Sequence, residues 1–281
     1  MIYVIGNKKL SVAIDGLGAE INSVKKTGKE MIWQNEDGSW DGHAPLIFPH
    51  CGTLTLKADG VKYPRNLHGF AKNMTFLPEK QTETEIFLTL NSNADTLKLY
   101  PFDFSLTIHY SVKNTTLNIE TIVKNIGKNT MYFATGGHES FVIDKSIDNY
   151  YIEFEKEESL LRLYHNDSGV LNGKEQKYPT SKFLKFSENP IKNSETLIYK
   201  DINSSYCKLV ENNGKILAEI HFNGFKNILF WKTDSGKFIC IEPWQNLPDT
   251  ENIEPEEISK TSGFNALASG KSASIKRKII Y

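Results

Sequence analysis

Residues of alternating polarity recur along most of the chain. In FDFSLTIHYSV, residues 102–112, Phe102, Phe104, Leu106, Ile108, Tyr110 and Val112 fall on one side. Asp103, Ser105, Thr107, His109 and Ser111 fall on the other. A side-chain period of two marks a strand with one buried face. TTLNIETIV repeats the pattern after the turn-like Lys113-Asn114. KILAEIHF puts Ile216, Ala218, Ile220 and Phe222 together, and SASIKRKIIY predicts a last strand with its Lys and Arg suited to an exposed side. Turn signals such as NNG, NDSG, TDSGK and KNIGKN separate these runs. No long amphipathic helix is predicted, only a short helical turn near residues 248–258. No linker or internal repeat divides the chain. The prediction is an all-β fold with few short helices: one large antiparallel β-sandwich domain over residues 1–281, although a barrel fits the pattern alone.

Three irregular segments interrupt the rhythm: residues 38–76, the opening stretch, and CIEPWQNLPDT at 240–250. The first is rich in His, Pro, Gly and aromatics. Long structured loops on a β scaffold are where sites are usually built.

Bulk properties narrow the function classes. The 281 residues carry a net charge of −1 with no basic block, so neither nucleic acid nor an anionic membrane is an expected partner. No apolar run approaches the length of a membrane span. The opening MIYVIGNKKLSVAID lacks the order of a secretory leader, and the three cysteines are far apart in sequence. A cytoplasmic protein without a disulfide framework is expected.

Three stretches carry candidate chemistry. In NLHGF, His68 sits beside a glycine that lets backbone approach a ligand; a structural loop histidine is the plain alternative. In TGGHESF, parity places His138 and Glu139 on opposite faces, so Glu139 is a poor direct partner for His138. In KFICIEPW, Glu242 ends an apolar run. A carboxylate there needs an ion pair, with Lys232 or Lys237 near in sequence, or a chemical role. Partial burial raises its pKa toward neutrality and suits a general base, and Trp244 is expected to wall a ligand. His43, His50 and Cys51 match no standard metal spacing, so no metal is expected. Nucleotide-binding glycine motifs and a GxSxG elbow do not occur. A glycoside hydrolase needs two carboxylates across the bond, and only Glu242 is well framed.

Taken in order, HAPLIFPHCG, NLHGF, TGGHESF and CIEPW resemble the galactose mutarotase-like, or aldose 1-epimerase, family, and within it the LacX-like branch. The four motifs cover residues 40–245. The resemblance implies a large β-supersandwich and a monosaccharide substrate. It implies catalysis without metal or organic cofactor, by a monomer or homodimer. It assigns a general acid to His138, a general base to Glu242, and sugar and ring-oxygen contacts to His68. One group protonates the ring oxygen while the other deprotonates the C1 hydroxyl; the ring opens, C1–C2 rotates, and the ring recloses on the other face. Arg65, Asn66, Phe70, Lys72 and Trp244 are the implied substrate contacts. The two glycines before His138 are expected to clear room for a sugar ring.

The chain departs from the family pattern at several positions. Cys51-Gly52-Thr53 stands where the branch has V-G-R, so an arginine is lost and Arg65 is the candidate replacement. Lys72 replaces the arginine of H-G-F-A-R, keeping charge without the bidentate fork. Glu139 stands where proline is common, and Gln245, Asn246 and Leu247 replace a glycine-containing continuation. These changes leave three readings: an epimerase of altered sugar specificity, a non-catalytic sugar-binding protein, and a hexose-6-phosphate epimerase.

Overall fold

A computed structural model describes residues 1–281, half of them in strands and 4% in helices. A nine-stranded antiparallel sheet contains, in spatial order, Ser181–Lys185, Tyr150–Glu158, Tyr206–Glu211, Ile216–His221, Ser272–Ile280, Thr116–Asn125, Phe104–Lys113, Glu85–Asn91 and Leu77–Gln81. A six-stranded antiparallel sheet contains Glu139–Val142, Phe238–Trp244, Asn227–Trp231, Leu197–Lys200, Leu161–His165 and Leu171–Lys177. The main core draws on both sheets, from Leu106, Ile108 and Ile279 on one to Ile239, Ile241 and Tyr199 on the other. It reaches from Ile5 to Tyr281.

The period-two reading holds where strands are regular. From Phe104 to Val112 every even-numbered residue is buried and every odd one half-buried. Asn114, at φ +55°, turns the chain into Thr116–Asn125, as Asn in a tight hairpin does. At Ile216 the expectation fails. Leu209 pairs with Ala218 but Val210 with Ile216, so Leu217 is bulged and Ile216 turns outward. The opening stretch is not irregular: Ile2–Gly6, Leu10–Asp15, Ile21–Lys26 and Lys29–Glu30 form a four-stranded sheet. Residues 248–258 make turns instead of a helical one; the α-helical turn lies at Ala94–Leu99, capped by Asn93.

The six-stranded sheet is covered on both faces. Ile239 and Ile241 point into the main core, whereas Phe238 and Cys240 join Trp33 beneath the opposite face, and Trp244 joins Ile47, Cys51 and Leu229 there. The run FICIEPW is buried throughout, and apolar except at Glu242, because both faces of the sheet are covered. Residues 31–56 supply much of that outer cover.

One inward residue contradicts the sequence reading. Ile275, Arg277 and Ile279 share a face, so Arg277 points into the sandwich while Lys276 and Lys278 point away. Its Nη1 donates to Glu139 Oε1 at 2.5 Å, joining the two sheets through a buried ion pair.

Phe104 is fully buried against Phe48, Tyr100 and Phe70, with ring centroids 5.3–6.1 Å away. Phe104→Ala is expected to cost about 3–5 kcal/mol in urea unfolding, with little change in activity per folded molecule. His50 is also buried, and desolvation pushes its pKa down to about 4. The folded state therefore binds fewer protons than the unfolded chain below pH ~6.5, so His50's share of stability is complete above that pH and is lost toward pH 4. In urea titrations from pH 7 to 4, His50→Gln is expected to remove about 3 kcal/mol of the acid-dependent loss. An unchanged pH slope would refute it.

Candidate active site

The outer face of the six-stranded sheet carries a cleft of 390 Å³. Three segments distant in sequence meet there. Strand Phe238–Trp244 brings Glu242 and Trp244, the segment leading from the Gly136 bridge into Glu139–Val142 brings His138, and His68 follows the short Asn66–Leu67 strand. His138 Nε2 stands 3.3 Å from Glu242 Oε2. The approach lacks hydrogen-bond alignment: Glu242 Oε2 and His138 Nδ1 are buried with no partner. Buried polar atoms are normally paired, so these two are free to engage a ligand.

Electrostatics follow from burial. Desolvation raises the Glu242 carboxyl well above the ordinary range; the Trp244 indole opposes this, and the charge of Glu139 behind the sheet adds to it. Desolvation pushes His138 down to about 3, helped by the Lys72 ammonium. Lys232 makes no pair with Glu242, its ammonium being bound to the carbonyls of Thr233 and Asp234. Both members of the pair are thus held toward their neutral forms.

His68 is placed by strained backbone. It adopts φ +65° and is followed by Gly69 at φ +71°, where any Cβ would fall on the Phe48 carbonyl. Gly52 N–H donates to His68 Nδ1 at 3.1 Å, so the ring hydrogen sits on Nε2. Burial holds His68 well below its ordinary pKa, as do the nearby His138, Lys72 and His50. The result is a neutral imidazole presenting a fixed N–H donor. Donor atoms of His68, His138 and Glu242 lie within 4.8 Å of one another, a spacing within reach of one ion. The Gly52 bond disfavours it, because metal at His68 Nε2 would require moving the hydrogen to Nδ1, against the Gly52 donor.

Of the remaining expected contacts, Lys72 and Trp244 line the cleft. Lys72 is the only lysine or arginine to do so, it makes no ion pair, and desolvation lowers its pKa against the pull of Glu20. The other three lie elsewhere. Arg65 is bound to Thr55 Oγ1 at 2.9 Å and to Asp249 at 3.2 Å, so it does not replace the missing arginine. Asn66 donates to the Pro64 carbonyl. Phe70 is buried in the main core against Phe48 and Tyr100. The expectation for the glycines also changes. A Cβ on Gly136 would lie 2.8 Å from Trp244 Cδ1, and one on Gly137 would fall on the Arg277 guanidinium. They make room for Trp244 and the ion pair, not for a ligand.

Several cleft residues escaped the sequence reading. Trp40 stacks on His138 with centroids 5.4 Å apart, and Trp231 stands edge-on to it. With Trp244, three of the chain's four tryptophans line one cleft. Asp167 and Ser168 form the far wall, where Thr53 Oγ1 donates to the Ser168 carbonyl. No periodicity marks these positions; the abundance of aromatics in residues 38–76 was the only available signal for Trp40.

A family model described as aldose 1-epimerase matches residues 1–262. The chromosomal protein LacX of Lactococcus lactis subsp. lactis is 27% identical over 295 aligned positions, covering 93% of this chain and 98% of LacX. A galactose mutarotase related enzyme from Lactobacillus acidophilus superposes with a TM-score of 0.91 at 27% identity, covering 100% of this chain and 97% of that one. A galactose mutarotase-like protein from Lactobacillus casei ATCC 334 gives 0.89 at 24% identity, covering 100% and 99%. The fold is therefore the galactose mutarotase-like sandwich, and the chain belongs to the aldose 1-epimerase family.

Proposed function

We propose that the cleft interconverts the α and β anomers of a hexose or related sugar by acid–base ring opening. The observation that carries this reading is the buried His138–Glu242 pair, 3.3 Å apart with an unpartnered atom on each residue. Burial favours carboxylic acid plus neutral imidazole. Carboxylate plus imidazolium has the same total charge, and the two forms differ by one short proton transfer. A sugar whose C1 hydroxyl donates to Glu242 and whose ring oxygen accepts from His138 favours the charged form. Proton transfer at those two atoms opens the ring, and the reverse transfers close it. The His68 Nε2–H steadies the sugar oxygens, and the tryptophans offer apolar walls to its C–H faces.

In this reading the active pair holds one proton. With Glu242 raised and His138 lowered, kcat/KM should stay flat through the ordinary carboxylate range, near pH ~4.3–5, for as long as the fold survives. It should fall on the alkaline side as the shared proton is lost. Polarimetry on fresh single anomers of a monosaccharide panel tests this. Glu242→Gln and His138→Asn should each lose about 10²–10⁴ in rate. Unchanged rates on a sugar the wild type turns over would refute it.

The lost arginine at Thr53 favours a second reading, in which the cleft binds sugar without turnover. Its signature is a sugar-dependent rise in melting temperature and a change in tryptophan emission, with no rate enhancement on any sugar. The unpaired Lys72 ammonium favours a phosphorylated substrate; a preference for glucose 6-phosphate over glucose that vanishes in Lys72→Met would select it.

A further inference from the structure

Behind the sheet from the cleft, the Glu139–Arg277 pair lies directly under the backbone that carries His138. We infer that these two residues position His138: the ion pair braces the Gly136-Gly137-His138 segment from the rear, so that the imidazole meets Glu242 at working distance.

The need for such a support is visible in the segment itself. His138 follows two glycines, the residues with the most backbone freedom to lose. Its Nδ1 meets no group beyond its own backbone, so no hydrogen bond from that atom ties the ring to another part of the fold. The ring is held by Trp40 stacked on one side and by the edges of His68 and Trp231. Its placement therefore depends on the backbone below. On the sheet side, Gly136 bridges Ile47 and Trp244, and the Gly137 N–H donates to the Pro243 carbonyl at 2.9 Å. From behind comes the Arg277 guanidinium, packed so closely on Gly137 that a Cβ there would fall on Nη1. Glu139 closes the arrangement by holding that guanidinium at 2.5 Å. Arg277 stands on a central strand of the nine-stranded sheet, so His138 is referenced to a part of the fold that does not line the cleft.

Stability alone is a poor account of the pair. Two charges buried in an apolar sandwich gain little over apolar side chains of similar volume. Glu139 Oε2 and the Tyr281 hydroxyl remain without partners. What the pair supplies is a fixed geometry and a fixed field. The charged and titratable groups around Glu242 are His138, His68 and the Cys51 thiol on the cleft side, with Lys72 beyond them, and Glu139, Arg277 and the Cys240 thiol on or behind its own sheet. Glu139 opposes charge on Glu242 from the rear.

The inference rests on the proposed anomer interconversion for its kinetic arm and is independent of it for its spectroscopic arm. Glu139→Gln keeps the shape and removes the charge. Glu139→Met/Arg277→Met removes both charges and leaves none buried alone. Both should lower kcat about tenfold to a hundredfold with KM little changed, the effect of a displaced catalytic group. Both should move the alkaline limb of kcat/KM to lower pH, which packing alone would not do. In parallel, ¹⁵N spectra of the histidine rings should show the His138 signals shifted or broadened. Should the double variant not fold, Glu139→Asp, which keeps the charge but shortens its reach, carries the kcat and His138 spectral readouts, with the alkaline limb left in place. A folded variant with wild-type kcat, alkaline limb and His138 signals overturns the inference. A wild type inactive on every sugar overturns the proposed function instead, and the His138 spectra still decide the role of the pair.

Discussion

The arrangement turns on one carboxylate placed where water does not reach. Every residue of strand Phe238–Trp244 is buried, and Glu242 stands in the middle of it. In such a place a carboxylate is protonated, paired or strongly destabilising. The fold answers with an imidazole 3.3 Å away that is equally reluctant to charge. The remaining demands follow from that choice. The outer face must be sealed by loops from residues 31–56, yet left open at one cleft. The histidine must reach Glu242 from a neighbouring segment, so backbone without side chains has to pass against Trp244.

A sheet buried on both faces makes this feasible. On an ordinary half-exposed sheet, alternate residues face core and water, and a catalytic group must look toward water. Here both directions are dry, so adjacent residues serve two interiors. His138 looks into the cleft and Glu139 into the sandwich, where Arg277 meets it. Breaking such a pair by removing one partner typically costs about 3–5 kcal/mol, because the survivor is left charged and buried. The same pair thus ties the two sheets together and lies against the segment that carries His138.

How much of this was legible in the sequence depended on the distance over which each signal acts. Period-two alternation is local, and it gave the strands around Phe104–Val112 and the divergence of His138 from Glu139. The same parity groups Arg277 with Ile275 and Ile279; expecting an arginine to seek water hid the inward ion pair. The bulge at Leu217 leaves no trace in KILAEIHF, because it is set by pairing with Leu209 and Val210. Around His68, nearness in sequence misled. Successive left-handed residues turn the chain sharply, so Phe70 enters the main core and Asn66 turns to Pro64 while Lys72 returns to the cleft. Trp40, Trp231 and Asp167 come together only through tertiary folding, and no window of sequence contains that meeting.

Charge around the pair works consistently in one direction. Lys72, unpaired on the cleft side, opposes a proton on His138. Glu139, behind the sheet, opposes loss of the proton from Glu242. Each disfavours the charged form of the residue it acts on, and desolvation does the same to both. Burial and neighbouring charge thus press the pair the same way, toward neutral imidazole and a proton on the carboxyl. Only a ligand that offers a hydroxyl to Glu242 and an acceptor to His138 at once compensates both charges as they form. A hemiacetal carries those two groups on a single carbon, and under the proposed function that is what would suit this neutral pair to an anomeric centre over a lone hydroxyl or a lone ether.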